Sequence, residues 1–79
     1  MPGNSIYRIS CVPKFGTRKS EAHIFKGTLD DLVYKFGTKD SNPMLGFTYK
    51  RVLYIYKFYL WNGFDWVNIP DPRPTMFSS

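Results

Sequence analysis

The sequence predicts an α+β fold in which a four-stranded antiparallel sheet carries one short helix packed on one face. Three observations lead to this prediction. Two alternating apolar and polar segments precede an amphipathic helix, and a long aromatic hairpin follows it over residues 49–69. The order hairpin, helix, hairpin is typical of a two-layer sandwich.

The long hairpin contains the clearest local signal in the chain. Two aromatic and β-branched runs are separated by Asn62-Gly63, and this dipeptide favours a two-residue type I′ turn, which needs positive φ at both central residues. With that turn, Tyr59 faces Trp66 across the hairpin. Because side chains alternate along a strand, the register divides the hairpin into two faces.

One face is mainly apolar and is the predicted core, whereas the other mixes rings with cations and is the predicted binding surface. The predicted core face carries Val52, Tyr54, Tyr56, Phe58, Leu60, Val67 and Ile69, with Asp65 at the tip. The predicted binding face carries Arg51, Leu53, Ile55, Lys57, Tyr59, Trp61, Phe64, Trp66 and Asn68. A register slip of one residue would exchange the faces and expose Tyr54 and Tyr56 instead.

A shorter hairpin is predicted at the start of the chain, with strands over residues 5–12 and 21–26. Pro13 ends the first strand, and the loop KFGTRKS follows it. Three cations in or beside this loop are candidates for phosphate contacts, and the alternative is that they are simply solvated. These cations are Lys14, Arg18 and Lys19.

The helix is predicted from its first turn and its apolar stripe. Thr28 and Asp31 have the spacing of a capping box, and Gly37 is a predicted left-handed cap. The stripe consists of Leu29, Leu32, Val33 and Phe36. We expect this stripe to cover the apolar face of the long hairpin.

We predict a single domain over residues 1–70 and a Pro-rich, extended tail over residues 71–79, which is either a loose end or a second contact arm. A chain of 79 residues is close to the lower size limit for folding on a core alone. One cysteine, Cys11, and one histidine, His23, exclude an internal disulfide and a self-contained four-ligand zinc site. We therefore predict neither a metal nor a cofactor.

Catalysis is not indicated by the sequence, and we expect a protein that is not an enzyme. His23 has no evident nucleophile as a partner, and the helix N-terminus explains Asp30 and Asp31. An N-terminal proline base of the tautomerase type requires Pro2 at the start of the first strand. Here Gly3, Asn4 and Ser5 separate Pro2 from Ile6, the first apolar residue of that strand, and no parallel β-α-β unit follows.

The net charge of +5 favours an acidic partner, such as nucleic acid, an anionic membrane or an acidic protein surface, although it also promotes solubility. No apolar run is long enough to span a bilayer, so we expect a cytoplasmic protein without membrane contact. Aromatic rings flanked by cations are typical both of surfaces that stack on nucleic-acid bases and of hot spots in protein-protein interfaces. A third possibility is that the tail or a homodimer buries the rings.

The segments YRISCV, EAHIFK, TLDDLVYKFG and YIYKFYLWNGFDWVNI have an order that resembles small phage-encoded inhibitory proteins of the anti-CRISPR or host-takeover type. The resemblance is one of architecture. It implies steric docking on a larger protein or nucleoprotein complex, for example a CRISPR effector, in the host cytoplasm. The basic charge argues against DNA mimicry and fits docking on an acidic patch or on bound RNA or DNA.

From these observations we expect a non-enzymatic inhibitor, either a monomer or a homodimer, that docks through the aromatic and basic face. The alternative is a protein that binds single-stranded nucleic acid through the same face. The two differ in salt dependence, because phosphate-led binding weakens steeply with salt.

Overall fold

The structure is a computed structural model that describes residues 5–16 and 20–76. These residues contain five strands and one helix. The order is β1 (Tyr7–Pro13), β2 (Ala22–Gly27), α1 (Leu29–Phe36), β3 (Gly46–Tyr49), β4 (Val52–Trp61) and β5 (Trp66–Ile69). All strand pairs are antiparallel, and α1 lies on one face of the sheet. The predicted α+β class is confirmed.

Strand β4 occupies the centre of the sheet and pairs along both edges. Strand β1 pairs with one edge from Tyr54 to Leu60, and β2 lies outside β1. The other edge pairs first with β3 and then with β5. Strand β3 was not predicted as a separate strand, because the long hairpin was expected to begin at residue 49, so the described sheet has one strand more than the predicted four.

The reversal between β3 and β4 explains why this strand was missed. Tyr49 pairs with Val52, which leaves a two-residue loop of Lys50 and Arg51 with φ values of 51° and 68°. Positive φ at both positions is the requirement of a type I′ turn, but Lys and Arg rarely adopt it. The sequence therefore contains no turn signal at this place.

The predicted two-residue turn at Asn62-Gly63 is wrong, because Trp61 pairs with Trp66 and the loop covers residues 62–65. The side-chain oxygen of Asn62 accepts hydrogen bonds from the backbone N–H groups of Phe64 at 2.8 Å and Asp65 at 2.9 Å. These local bonds close a four-residue loop, and of its residues only Gly63 has positive φ.

The corrected register differs from the predicted one by two residues, and a two-residue shift keeps every side chain on its face. On the helix side, Phe58 packs with Ile9 and Leu32 in the buried core. The predicted core face is covered only in its middle, since Val52 and Val67 remain 39% and 41% exposed. A helix of eight residues is only about 12 Å long and does not reach both ends of β4.

Helix α1 begins and ends as predicted. Thr28 and Asp31 form the capping box, in which Thr28 Oγ1 accepts from the Asp31 backbone N–H. Gly37 follows the last turn with a φ of 79°, and its N–H donates to the Val33 carbonyl. Its ψ of −164° lies outside the left-handed helical region, so the predicted left-handed cap is correct only in φ.

The tail is attached to the domain through Arg73, which is only 1% exposed. The Arg73 guanidinium donates to the carbonyl oxygens of Phe36, Gly37, Thr38 and Asn42 at 3.3, 3.5, 3.3 and 2.6 Å. A cation beside these carbonyls is favoured by the helix dipole. Residues 71–76 are therefore not a loose end.

Asp71 neutralises the buried charge of Arg73. Arg73 Nε donates to Asp71 Oδ1 at 3.1 Å, and Arg73 Nη2 donates to Asp71 Oδ2 at 2.7 Å. Burial alone raises the pKa of Asp71, but the hydrogen bonds from Arg73 and the charges of Arg73 and Lys39 outweigh it. The pKa of Asp71 therefore lies below its ordinary value of 3.8.

The lowered pKa predicts a loss of stability in acid. The unfolded chain takes up the proton at a higher pH than the folded chain, so ionised Asp71 stabilises the fold above pH 3.8 and this contribution disappears below it. Asp71→Asn should lower the free energy of unfolding in urea at neutral pH, and its difference from wild type should shrink as the pH falls through this region. Asp30→Asn, at an exposed carboxylate, is the control. An equal loss of unfolding free energy in that variant would contradict a stabilising contact between Asp71 and Arg73.

Candidate functional site

The sheet surface opposite α1, which we call the open face, is formed by alternate residues of the strands. In the described part of the chain no helix or strand covers it. Its central members are Arg8 and Ser10 from β1, Ile55, Lys57 and Tyr59 from β4, and Trp66 from β5. The pleat places these residues opposite Ile9 and Phe58, which lie in the core.

Arg8 is the central charge of the open face. It pairs with Tyr59 across β1 and β4, and its guanidinium carbon lies 4.7 Å from the centre of the Tyr59 ring. The same carbon lies 4.8 Å from the ring centre of Trp66. Because cations are attracted to the faces of aromatic rings, these contacts fix Arg8 across three strands.

A groove of about 520 Å³ extends along the open face from Arg8 toward the end of β1. Its charged residues are Arg8, Lys14, Lys57 and Glu21, and its apolar walls include Val12 and Ile55. Glu21 Oε2 lies 3.8 Å from Arg8 Nη2, which is too long for a hydrogen bond. Three cations therefore face one carboxylate.

Two buried polar atoms on this part of β1 have no hydrogen-bond partner among the described residues. They are Arg8 Nε and Ser10 Oγ. Such atoms are uncommon, since most buried polar groups are hydrogen-bonded to protein or water. Arg8 was absent from the predicted site, although its position in the alternation of β1 assigns it to the outer side of that strand.

The structure brings together part of the predicted binding set. Lys14, Lys57, Tyr59 and Trp66 line the groove. Trp61 adjoins it, with its ring centre 5.2 Å from that of Trp66, and borders a second depression with Ile6 and Lys26.

The remaining predicted residues lie apart from the groove. Phe64 is 86% exposed at the tip of the β4–β5 hairpin. Arg51 lies at the β3–β4 turn, where it borders a depression with Phe15 and Leu53. Arg18 and Lys19 lie outside the described residues.

His23 and Cys11 are the residues that the sequence analysis considered for catalysis or metal binding. His23 is exposed, with Nε2 4.0 Å from Glu21 Oε2, and Cys11 is buried on the helix side of β1. Among residues 5–16 and 20–76, no three His, Cys, Asp or Glu side chains cluster as metal ligands. Across those same ranges, no helix has the length and apolarity needed to cross a membrane.

No protein-family model, curated protein sequence or solved structure matches the chain.

The contact between Arg8 and Trp66 predicts a measurable coupling. In a double-mutant cycle of Arg8→Met with Trp66→Leu, we expect a favourable coupling of about 0.5–2 kcal/mol in the free energy of urea unfolding. Lys14→Met with Trp66→Leu is the control, because the Lys14 ammonium lies over Phe15 instead. A coupling near zero in the Arg8 cycle would contradict the ring contact.

Proposed function

We propose that this protein is a non-enzymatic binding protein that inhibits a larger protein or nucleoprotein complex by docking through its open face. The observation that carries the proposal is a continuous surface of rings and cations on a sheet face that the described elements leave uncovered. Exposed apolar surface rimmed by charge is typical of interaction sites.

The composition of this face supports docking on a protein. Trp, Tyr and Arg are the residues that most often dominate protein-protein binding energy, and here they contact one another directly. A side chain that is already fixed in place loses little conformational entropy on binding. The open face therefore has a rigid centre at Arg8, with a cationic margin at Lys14 and Lys57.

Contacts between Arg8 and the rings also weigh against base stacking at the centre of the face. One face of Tyr59 and one face of Trp66 are covered by the guanidinium, so a base cannot stack there without displacing it. The covered ring faces therefore favour docking on a protein over nucleic-acid binding at this centre.

Single-stranded nucleic acid remains the second candidate, supported by different residues. Trp61 is 40% exposed and Phe64 is 86% exposed, so both offer free ring surface. Lys57 and Lys26 lie beside the tryptophans and suit phosphate contacts. In this arrangement the outer end of the β4–β5 hairpin binds the single-stranded nucleic acid.

We expect a tagged protein to capture a specific partner from a bacterial lysate through the open face. Trp66→Ala, Tyr59→Ala and Lys57→Glu should each lose the partner, whereas Tyr34→Ala should retain it, because Tyr34 lies 94% exposed on α1. The identified partner's activity should then fall on addition of wild-type protein and not of the open-face variants. Circular dichroism checks that each variant is folded.

Salt and nucleic-acid titrations separate the two candidates. Capture of a protein should weaken less steeply with salt than phosphate-led binding does, since ring contacts are not screened and partly buried charge pairs such as those of Arg8 are screened less than exposed ones. Tryptophan fluorescence should be unchanged by single-stranded DNA or RNA at physiological salt. Strong quenching at that salt would instead favour nucleic-acid binding, and capture that survives all three open-face variants would contradict docking through this face.

A further inference from the structure

The groove beside Arg8 has an excess of positive charge that its own residues do not neutralise. Arg8, Lys14 and Lys57 contribute three positive charges, and Glu21 contributes one negative charge. Lys14 and Lys57 have no carboxylate within 4.0 Å among the described residues. Charge complementarity therefore indicates an anionic occupant.

Arg8 has a hydrogen-bonding edge that no described residue uses. Within residues 5–16 and 20–76, its buried Nε has no partner, and the carboxylate nearest its Nη2 is that of Glu21 at 3.8 Å. A carboxylate that binds arginine through two parallel N–H bonds would use such a pair of donors. The Glu21 carboxylate attracts Arg8 but is too distant to accept a hydrogen bond from it. Glu21 would therefore compete with an incoming carboxylate for the Nε and Nη2 donors of Arg8.

The walls of the groove favour a carboxylate on a protein over the phosphates of a nucleic acid. Val12 and Ile55 add apolar surface to a groove that is otherwise lined mainly by polar side chains, and Arg8 covers one face each of Tyr59 and Trp66. The Arg8 side chain is only 15% exposed, which suits one inserted side chain. Binding of single-stranded nucleic acid uses a positively charged groove together with ring faces that are free to stack on bases.

We propose that the groove receives an aspartate or glutamate side chain from an acidic segment of a protein partner, and that this carboxylate binds Arg8 in place of Glu21. Lys14 and Lys57 lie along the same groove and attract the neighbouring acidic residues. Ser10, whose Oγ has no partner in the part of the chain that the structure describes, lies next to Lys57 in the sheet register. This inference rests on the proposed function, because it specifies the chemistry of the docking partner.

An oligoglutamate peptide is the probe, and Trp66 fluorescence in a Trp61→Phe background is the readout, since the chain has two tryptophans. We expect saturable binding to the parent. Arg8→Met should weaken it by about tenfold, through loss of the charged hydrogen bonds. Glu21→Gln should strengthen it by about threefold, because the competing carboxylate is removed.

Lys35→Gln is the matched charge control, since Lys35 lies on α1, away from the groove, and it should bind as the parent does. Glu21→Gln also keeps the test decisive if Arg8→Met does not fold. No saturable binding by the parent, equal binding by a folded Arg8→Met, or weaker binding by Glu21→Gln would each overturn the proposal. Binding of oligothymidylate in preference to the peptide would overturn it in favour of phosphate.

The outcome is separable from that of the proposed function. If Arg8→Met still captures the lysate partner while Trp66→Ala and Lys57→Glu do not, docking through the open face stands and the carboxylate assignment fails. If the peptide binds as expected but the open-face variants still capture the partner, the groove is an anion site and the docking proposal fails.

Discussion

Pairing of β4 along both edges is the constraint on which the rest of the structure depends. This strand is hydrogen-bonded to β1 on one side and to β3 and β5 on the other, so its side chains cannot rotate between faces. Phe58 is thereby directed into the core, and the next residue, Tyr59, is directed outward. The alternation of side chains along β4 therefore produces both the core and the open face.

The buried core contains Ile9, Leu32 and Phe58. Because this core is small, the fold also depends on polar contacts at the edge of the core. Buried Arg73 links the tail to the carbonyl groups that follow α1, with Asp71 as its counter-ion. Removing Asp71 would leave the buried charge of Arg73 without its counter-ion, which is unfavourable in the protein interior. The tail thus contributes to the attachment of the helix, and the helix in turn covers Phe58.

The elements that were predictable from sequence are those decided by local chemistry. The capping box of Thr28 and Asp31 and the helical stripe need only neighbours within one or two turns. The capping box is present, and Leu29, Leu32 and Phe36 of the predicted stripe lie in or against the core. The assignment of faces was also correct, although the turn type was not. The four-residue loop shifts the register by an even number, so Tyr59 and Trp66 stayed on the side expected for them.

What could not be predicted depends on contacts between residues far apart in the chain. Arg73 binds carbonyl groups 31 to 37 positions earlier, which no local pattern in a proline-rich tail indicates. Arg8 could be assigned to the outer side of its strand from the alternation within β1. Its contact with Tyr59 could not be predicted, because it requires that β1 pair with β4 and the alternation does not indicate which strand lies beside β1. The groove at the centre of the candidate site follows from that pairing.

The ring contacts of Arg8 can be measured most directly by solution NMR of the wild-type protein. We expect the side-chain methylene protons of Arg8 to be shifted upfield by the Tyr59 and Trp66 rings and to show nuclear Overhauser effects to both rings. Methylene shifts close to those of an unfolded peptide would contradict these contacts, because they would place the Arg8 side chain free in solvent. Overhauser effects from the Arg8 side-chain protons to the Phe58 ring would also contradict them, because they would place the side chain in the core.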